Sequence, residues 1–327
     1  MRKISFMSAL VAVSVVSFLT GCQKNSADVV QSAEKVKLEI SVPVAQTKVV
    51  SGINETAIKN YQVFLFNDNE TLEAYVNQSA PDISLDCTLG AKTVVVITNA
   101  PAVNDVTSLS SLKSKSSLLS DNSEDAFVME GLKEVLIETT EDVSITVPVA
   151  RQVAKIELAD VTTAFELPEY AAMPFTVSAV YLINVPADKK YFSTDAPTLW
   201  YNKSAYDAQD ENALIYDDMN DVAVSAESQY STINALYCYP NPTLEDAFET
   251  PWTERHTRLV VETVLGTETY YYPITMPVIQ QNKKYEVSLT ITRPGSYSPD
   301  TIVDKFAANF SVTVKDWETG ASVSEEI

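Results

Sequence analysis

The chain has 327 residues and a formal net charge of −21, with 46% hydrophobic residues, seven glycines and fifteen prolines. The acidity argues against nucleic acid as a partner, because a phosphate-binding surface displaces counterions with Lys and Arg that this chain holds in deficit, and it helps keep an exported protein soluble. The apolar content argues against disorder or a fibrous repeat, and at ~150 residues per domain the length predicts two domains.

At the N-terminus Arg2 and Lys3 precede the apolar run FMSALVAVSVVSFL, which stops at Thr20 and Gly21 and gives way to Gln23, Lys24 and Asn25. A spanning helix needs ~20 apolar residues, so this shorter run reads as an export signal that is removed. Leu19-Thr20-Gly21-Cys22 resembles the bacterial lipobox, in which the cysteine is acylated, palmitate being one expected chain, and the signal is cut between Gly21 and Cys22. Several acyl chains anchor durably where one binds only marginally. The alternative is a stray cysteine behind an ordinary signal peptide.

VKLEISVPV (36–44) alternates, with Val36, Leu38, Ile40, Val42 and Val44 on one face, and so predicts a half-buried strand. Pro43 donates no ladder hydrogen bond, so this strand is expected at an edge or imperfectly paired. YQVFLF (61–66) and TVVVIT (93–98) predict interior strands, and VSITVPV (143–149) alternates again. Between them Val106, Leu109 and Leu112 fall at helical spacing behind Asn104 and Asp105, which predicts a short surface helix within 103–119 capped by those two residues.

From Val153 strands are predicted over 153–158, 175–183, 233–239, 257–264, 269–276, 285–292 and 306–314, with Leu265-Gly266-Thr267 as a hairpin and Pro294-Gly295-Ser296 opening a longer loop. The span 186–229 is expected to be an elaborated loop or small subdomain. Regular alternating strands with few helices give an all-β fold built from β-sandwiches. Cys87 and Cys238 are read as buried free thiols, an interdomain disulfide being the alternative.

Catalytic vocabulary is sparse. The single histidine, His256, in ERHTR leaves no partner for a His-His metal site and reads as a surface or strand-edge residue. No glycine-rich loop opens a helix after a strand, so a nucleotide cradle has no candidate. YDDMND (216–221) and SDNSED (120–125) are oxygen-rich, but neither has the spacing of a calcium loop. No catalytic residue, metal ligand or cofactor is assigned. Trp200-Tyr201 and Trp252 are the candidates for an aromatic platform in a carbohydrate-binding lipoprotein, the competing function class, against an ordinary core or loop anchor.

The C-terminal segment NKKYEVSLTITRPGSYSPDTIVDKFAANFSVTVKDW (282–317) resembles that of Bacteroidales fimbrillins, the subunits of type V pili: a Lys-Lys-Tyr strand start, Thr-Ile-Thr, a Pro-Gly loop and a last strand closing on Asp-Trp. DCTLGAKTVVVITNA (86–100), RQVAKIEL (151–158) and ALYCYPNP (235–242) are similar in the same order. The resemblance implies two transthyretin-like β-sandwich domains in tandem with minor helical insertions: a signal peptide over 1–21, an N-terminal domain over 22–150 with a removable first strand, and a C-terminal domain over 151–327. It also implies outer-membrane lipoprotein export to the cell surface and no enzymatic activity. A trypsin-like protease would remove the first strand, and a strand from another subunit would fill the groove, building a fimbrium that supports adhesion.

The family's stalk subunits are cut after an arginine beyond the first strand, whereas the arginines here are Arg2, Arg151, Arg255, Arg258 and Arg293. The matching position is Lys48 in AQTKVV, with cleavage before Val49; alternatively the subunit is an uncleaved anchor or accessory. In the tail after Trp317, Ala321, Val323 and Ile327 fall on one side of an extended chain and are the candidate donor strand, against a frayed acidic tail.

Overall fold

The computed structural model describes residues 35–43, 54–226, 235–249, 251–303 and 307–317. Gly21, Cys22, Lys48, Val49, Ala321, Val323 and Ile327 lie outside the described residues. The first half runs β1 (Val36–Ser41), β2 (Tyr61–Asn67), β3 (Leu72–Gln78), β4 (Ile83–Cys87), β5 (Gly90–Thr98), α1 (Leu109–Lys113), β6 (Ser116–Leu118), β7 (Met129–Ile137), β8 (Val143–Thr146) and β9 (Ala150–Arg151). A three-stranded sheet, β4-β1-β8, faces a five-stranded sheet, β3-β2-β5-β7-β9. Alternate side chains of β1 (Val36, Leu38, Ile40), β2 (Val63, Leu65) and β5 (Val94, Val96) meet between them as a core. The sheet β2–β5 pair is apolar on both faces because its outer face is covered too: Phe64, Phe66, Val95 and Ile97 pack under Val106, Leu109 and Leu112 of the α1 region.

The second half runs β10 (Ala154–Thr163), β11 (Phe175–Ile183), β12 (Val185–Pro186), β13 (Asp188–Lys190), β14 (Trp200–Tyr201), β15 (Tyr216–Ala223), β16 (Ala235–Cys238), β17 (Arg258–Leu265), β18 (Glu268–Thr275), β19 (Lys283–Ile291) and β20 (Ala308–Asp316). Sheets β16-β10-β19-β20 and β15-β11-β17-β18 enclose a larger core that includes Ile156, Leu158, Leu182, Val261, Tyr285 and Val287. The fold is all-β, as the periodicity predicts, and the β17–β18 hairpin turns at Gly266, whose φ of +64° suits glycine. In the predicted 294–296 loop, a Cβ on Gly295 would stand 2.5 Å from the Tyr271 carbonyl oxygen, so glycine there lets the loop lie against β18.

The described residues form one compact unit. Within it the halves interlock: β6 pairs antiparallel with β13, and Leu119 and Phe127 from the first half enter the second core. Buried Lys189 and Glu130 form an ion pair at 3.0 Å across this junction, with Gln152 and the Phe192 amide completing the carboxylate's partners. Among the described residues no helix is long and apolar enough to cross a membrane.

Three expectations need correction. The first strand is not at an edge: β1 is the middle strand of its sheet, antiparallel to β4 and parallel to β8. Pro43 lies two residues beyond its end, where no ladder amide is needed, and its carbonyl accepts from Val149 at 3.2 Å. The helix in 103–119 is only Leu109–Lys113, capped by Ser108 in a capping box with Ser111 rather than by Asn104 and Asp105. YDDMND is strand β15 rather than a loop.

Candidate assembly interface

Among the described residues, β1 is the element on which the assembly reading turns. Val36, Leu38 and Ile40 are buried, whereas Lys37, Glu39 and Ser41 face solvent. Leu38 stands between Leu85 and Val143, and Ile40 between Ile83 and Ile145. The main chain of β1 therefore satisfies two neighbours at once. Taking it out would open a slot between β4 and β8 whose floor is the first core, with both slot edges offering unpaired backbone groups.

The chain re-enters the described residues at Asn54, six positions past Lys48. Asn54 Oδ1 accepts from the Thr56 amide at 3.1 Å and its hydroxyl at 2.7 Å, closing a turn that presents Glu55. Asn99, in the left-handed region at φ +58°, then pins the segment: its Oδ1 accepts from the Lys59 amide at 2.7 Å, and its Nδ2 donates to the Ala57 and Phe127 carbonyls at 2.8 and 2.9 Å. Glu55 Oε1 takes the Lys155 ammonium at 2.8 Å and the Tyr237 hydroxyl at 2.7 Å, and its Oε2 takes the Trp317 indole N–H at 3.0 Å. Burial pushes the Glu55 carboxyl up, but these donors outweigh it and hold it below the usual carboxylate range.

Trp317 closes β20 and is buried. The Arg151 guanidinium lies 4.4 Å from its ring centre and donates to the Glu55 carbonyl at 3.1 Å and to Asn282 at 3.1 Å. Tyr237 stacks on the indole at 5.7 Å, and Phe127 meets it edge-on at 5.5 Å.

Residues 36–153 match the model of the major fimbrial subunit protein (FimA) family. That stretch runs from the first residue of β1 to just past β9, the whole first sandwich. Over that stretch the chain is similar to the fimbrillin family. Among solved structures, a candidate cell adhesion protein from Parabacteroides distasonis is similar with a TM-score of 0.64 at 17% identity, covering 88% of this chain and 98% of its own. A fimbrilin (FimA) from Porphyromonas gingivalis gives 0.61 at 15% identity, with 88% and 98% covered. The C-terminally truncated tip fimbrial protein of Porphyromonas gingivalis gives 0.56 at 12% identity, with 86% and 100% covered. At such identities the likeness is one of fold. No curated protein matches.

The other candidates remain separate from β1. Trp200 and Trp252 meet edge-on at 5.3 Å, both partly buried, with Lys203 5.2 Å over the Trp252 ring, so they do not lie as a flat open platform. His256 stands at the edge of a strand, two residues before β17, where its amide and Nδ1 contact Asp246 Oδ1 at 2.7 and 2.9 Å. Within the 120–125 run, Asp121 accepts from the Leu118 amide and Asp125 pairs with Lys59. Among the described residues no cluster could hold a metal ion. Cys87 and Cys238 are free and buried. The sequence reading singled out Arg151 and Trp317 only as marks of resemblance and missed Glu55, which in NETAIKN carries no periodic signal; only contacts between residues distant in the chain reveal it.

Proposed function

We propose that this protein is a fimbrillin, a structural subunit of a cell-surface fimbria, exported as an outer-membrane lipoprotein acylated at Cys22 and polymerised after cleavage between Lys48 and Val49. Cleavage releases β1, and an extended segment of a neighbouring subunit takes its slot, with Ala321, Val323 and Ile327 as the donor's apolar side chains. Its partners are then other fimbrial subunits, a trypsin-like protease and the outer membrane, and its domains divide near Arg151. The observation that carries this reading is the central position of β1, since a middle strand leaves a two-edged slot when it departs.

Burial of the arginines supports Lys48. Arg151, Arg255 and Arg258 are buried, and the half-exposed Arg293 donates two N–H groups to the one oxygen Oε2 of Glu166. N-terminal sequencing of subunits taken from filaments is the test. Chains that begin at Val49 support the reading, and filaments whose subunits all retain Cys22 would refute processing and leave an uncleaved anchor role. Cys22→Ser is expected to abolish acyl labelling and release the protein from the membrane fraction.

A further inference from the structure

We propose that Glu55, Arg151 and Trp317 form a clasp that couples the segment following Lys48 to the end of β20, with Glu55 as its positioning residue. The coupling to assembly rests on the reading of Lys48 and of the tail given above; the clasp itself rests on geometry alone. Glu55 lies seven positions after Lys48, and Trp317 immediately precedes the tail. Glu55 precedes β2 of the first sandwich, and Trp317 follows β20 of the second. In the clasp, one carboxylate takes donors from β10 (Lys155), β16 (Tyr237) and the end of β20 (Trp317).

The parts are built to hold position. The turn at Asn54 and the three Asn99 hydrogen bonds fix the Glu55 backbone before its side chain reaches across, so little rotamer freedom remains to be lost. Arg151 closes the clasp from the other side, since it touches both the Glu55 carbonyl and the Trp317 ring. The Trp317 amide also donates to the Asn282 carbonyl at 3.2 Å, and the Asn282 amide to Val153, so the end of β20 is tied to the start of β10 through a second route. That second route holds the backbone of Trp317; the Glu55 carboxylate holds its indole. Loss of Glu55 is therefore expected to free the ring and loosen the residues that follow, without unthreading β20.

The test uses the full mature chain carrying Trp200→Phe and Trp252→Phe, so that Trp317 is the sole tryptophan of the three. Acrylamide quenching then reads the indole directly, and a glutamyl endopeptidase reads the tail by its rate of cutting after Glu318. Glu55→Ala is expected to raise both several-fold, Glu55→Gln to raise them less because the amide oxygen still accepts, and the exposed Glu39→Ala to change neither. Equal quenching and equal cleavage in Glu55→Ala, Glu55→Gln and the parent would overturn the clasp. Polymerisation after protease treatment is read separately: if quenching and cleavage rise while filament yield is unaltered, the clasp stands and the donor role of the tail fails. If filament yield falls while quenching and cleavage stay at parent values, the clasp is refuted and Glu55 acts in assembly by another contact. Should Glu55→Ala not fold, as judged by its circular dichroism, the Gln variant alone decides between raised and parental quenching.

Discussion

Arg258 is wholly buried, and its guanidinium holds two carboxylates from loops that frame the second sandwich: Asp246 at 2.6 Å and Asp300 at 2.7 Å. Arg255 reaches the same Asp300 carboxylate and lies 4.6 Å over the Phe248 ring. Removing one member of such a buried network leaves the others uncompensated, so Arg258→Ala is expected to cost about 3–5 kcal/mol in denaturant unfolding. Asp246 gives the network a pH signature. Burial pushes its carboxyl up, yet hydrogen bonds from His256 and the Arg258 charge pull it net below the ordinary value. A depressed carboxylate contributes stability that is complete above its unfolded pKa and is lost as pH falls through the folded one. Asp246→Asn should therefore be less stable at pH 7 and show a shallower decline below about pH 4 than the parent, measured by unfolding midpoints across pH. Glu124, Asp217 and Glu262 are shifted upward and act in the opposite sense, but they are common to both proteins and cancel in the comparison. The thiols offer a further check. Burial raises both Cys87 and Cys238, so neither is expected to react with a thiol reagent in the native state and both should react on unfolding.

At the level of elements, β1 is a strand whose two faces have separate tasks. Leu38→Ala is expected to cost about 2–5 kcal/mol, because a buried leucine leaves a cavity against Leu85 and the first core, whereas Glu39→Ala on the solvent face stays within about 0.5 kcal/mol in the same denaturant assay. The alternation that makes this contrast is visible in VKLEIS itself, as are β2, β5, β11 and β17–β20, whose apolar periodicity is dense enough to stand alone. Other strands give no such signal. β7 reads MEGLKEVLI, rich in residues of good helix propensity, and is a strand because its inner side chains pair along β5. β3 is half-exposed along its length, so LEAYVNQ lacks the contrast that alternation needs. Pairing order is hidden for a different reason: the parallel partnership of β1 with β8 joins segments about a hundred residues apart and depends on which strands reach each other, not on either pattern. The same holds for the candidate site. β1 can be read locally, whereas Glu55 gains its meaning from Tyr237 and Trp317, which are remote in the chain.

The two halves of the molecule repeat one arrangement, and that repetition shows what a filled slot looks like. β1 lies between antiparallel β4 and parallel β8, and β10 lies in the same way between antiparallel β16 and parallel β19. β10 is held by ten residues and by the chain on either side of it, whereas β1 has six and is followed by the proposed cleavage position. Val36, Leu38 and Ile40 together contribute about 5–9 kcal/mol of burial at roughly 1.5–3 each, and their backbone bonds add to that. A whole domain is stable by only about 5–15 kcal/mol, so the first sandwich without β1 stands near the limit of folding. The second sandwich keeps every strand of its sheets. A chain beginning at Val49 is accordingly expected to unfold in two steps, the first half melting well below the second, while the uncut chain melts at a higher and more nearly single midpoint. A synthetic peptide of residues 35–43 added in excess to the chain beginning at Val49 should raise the lower midpoint with its concentration, as a ligand of the folded state does. A variant peptide with Leu38→Asp should not, because a carboxylate would enter the apolar slot unpaired. If the shortened chain melts at the parent temperature and ignores the peptide, the slot collapses without a donor, and cleavage would then provide no drive toward polymerisation.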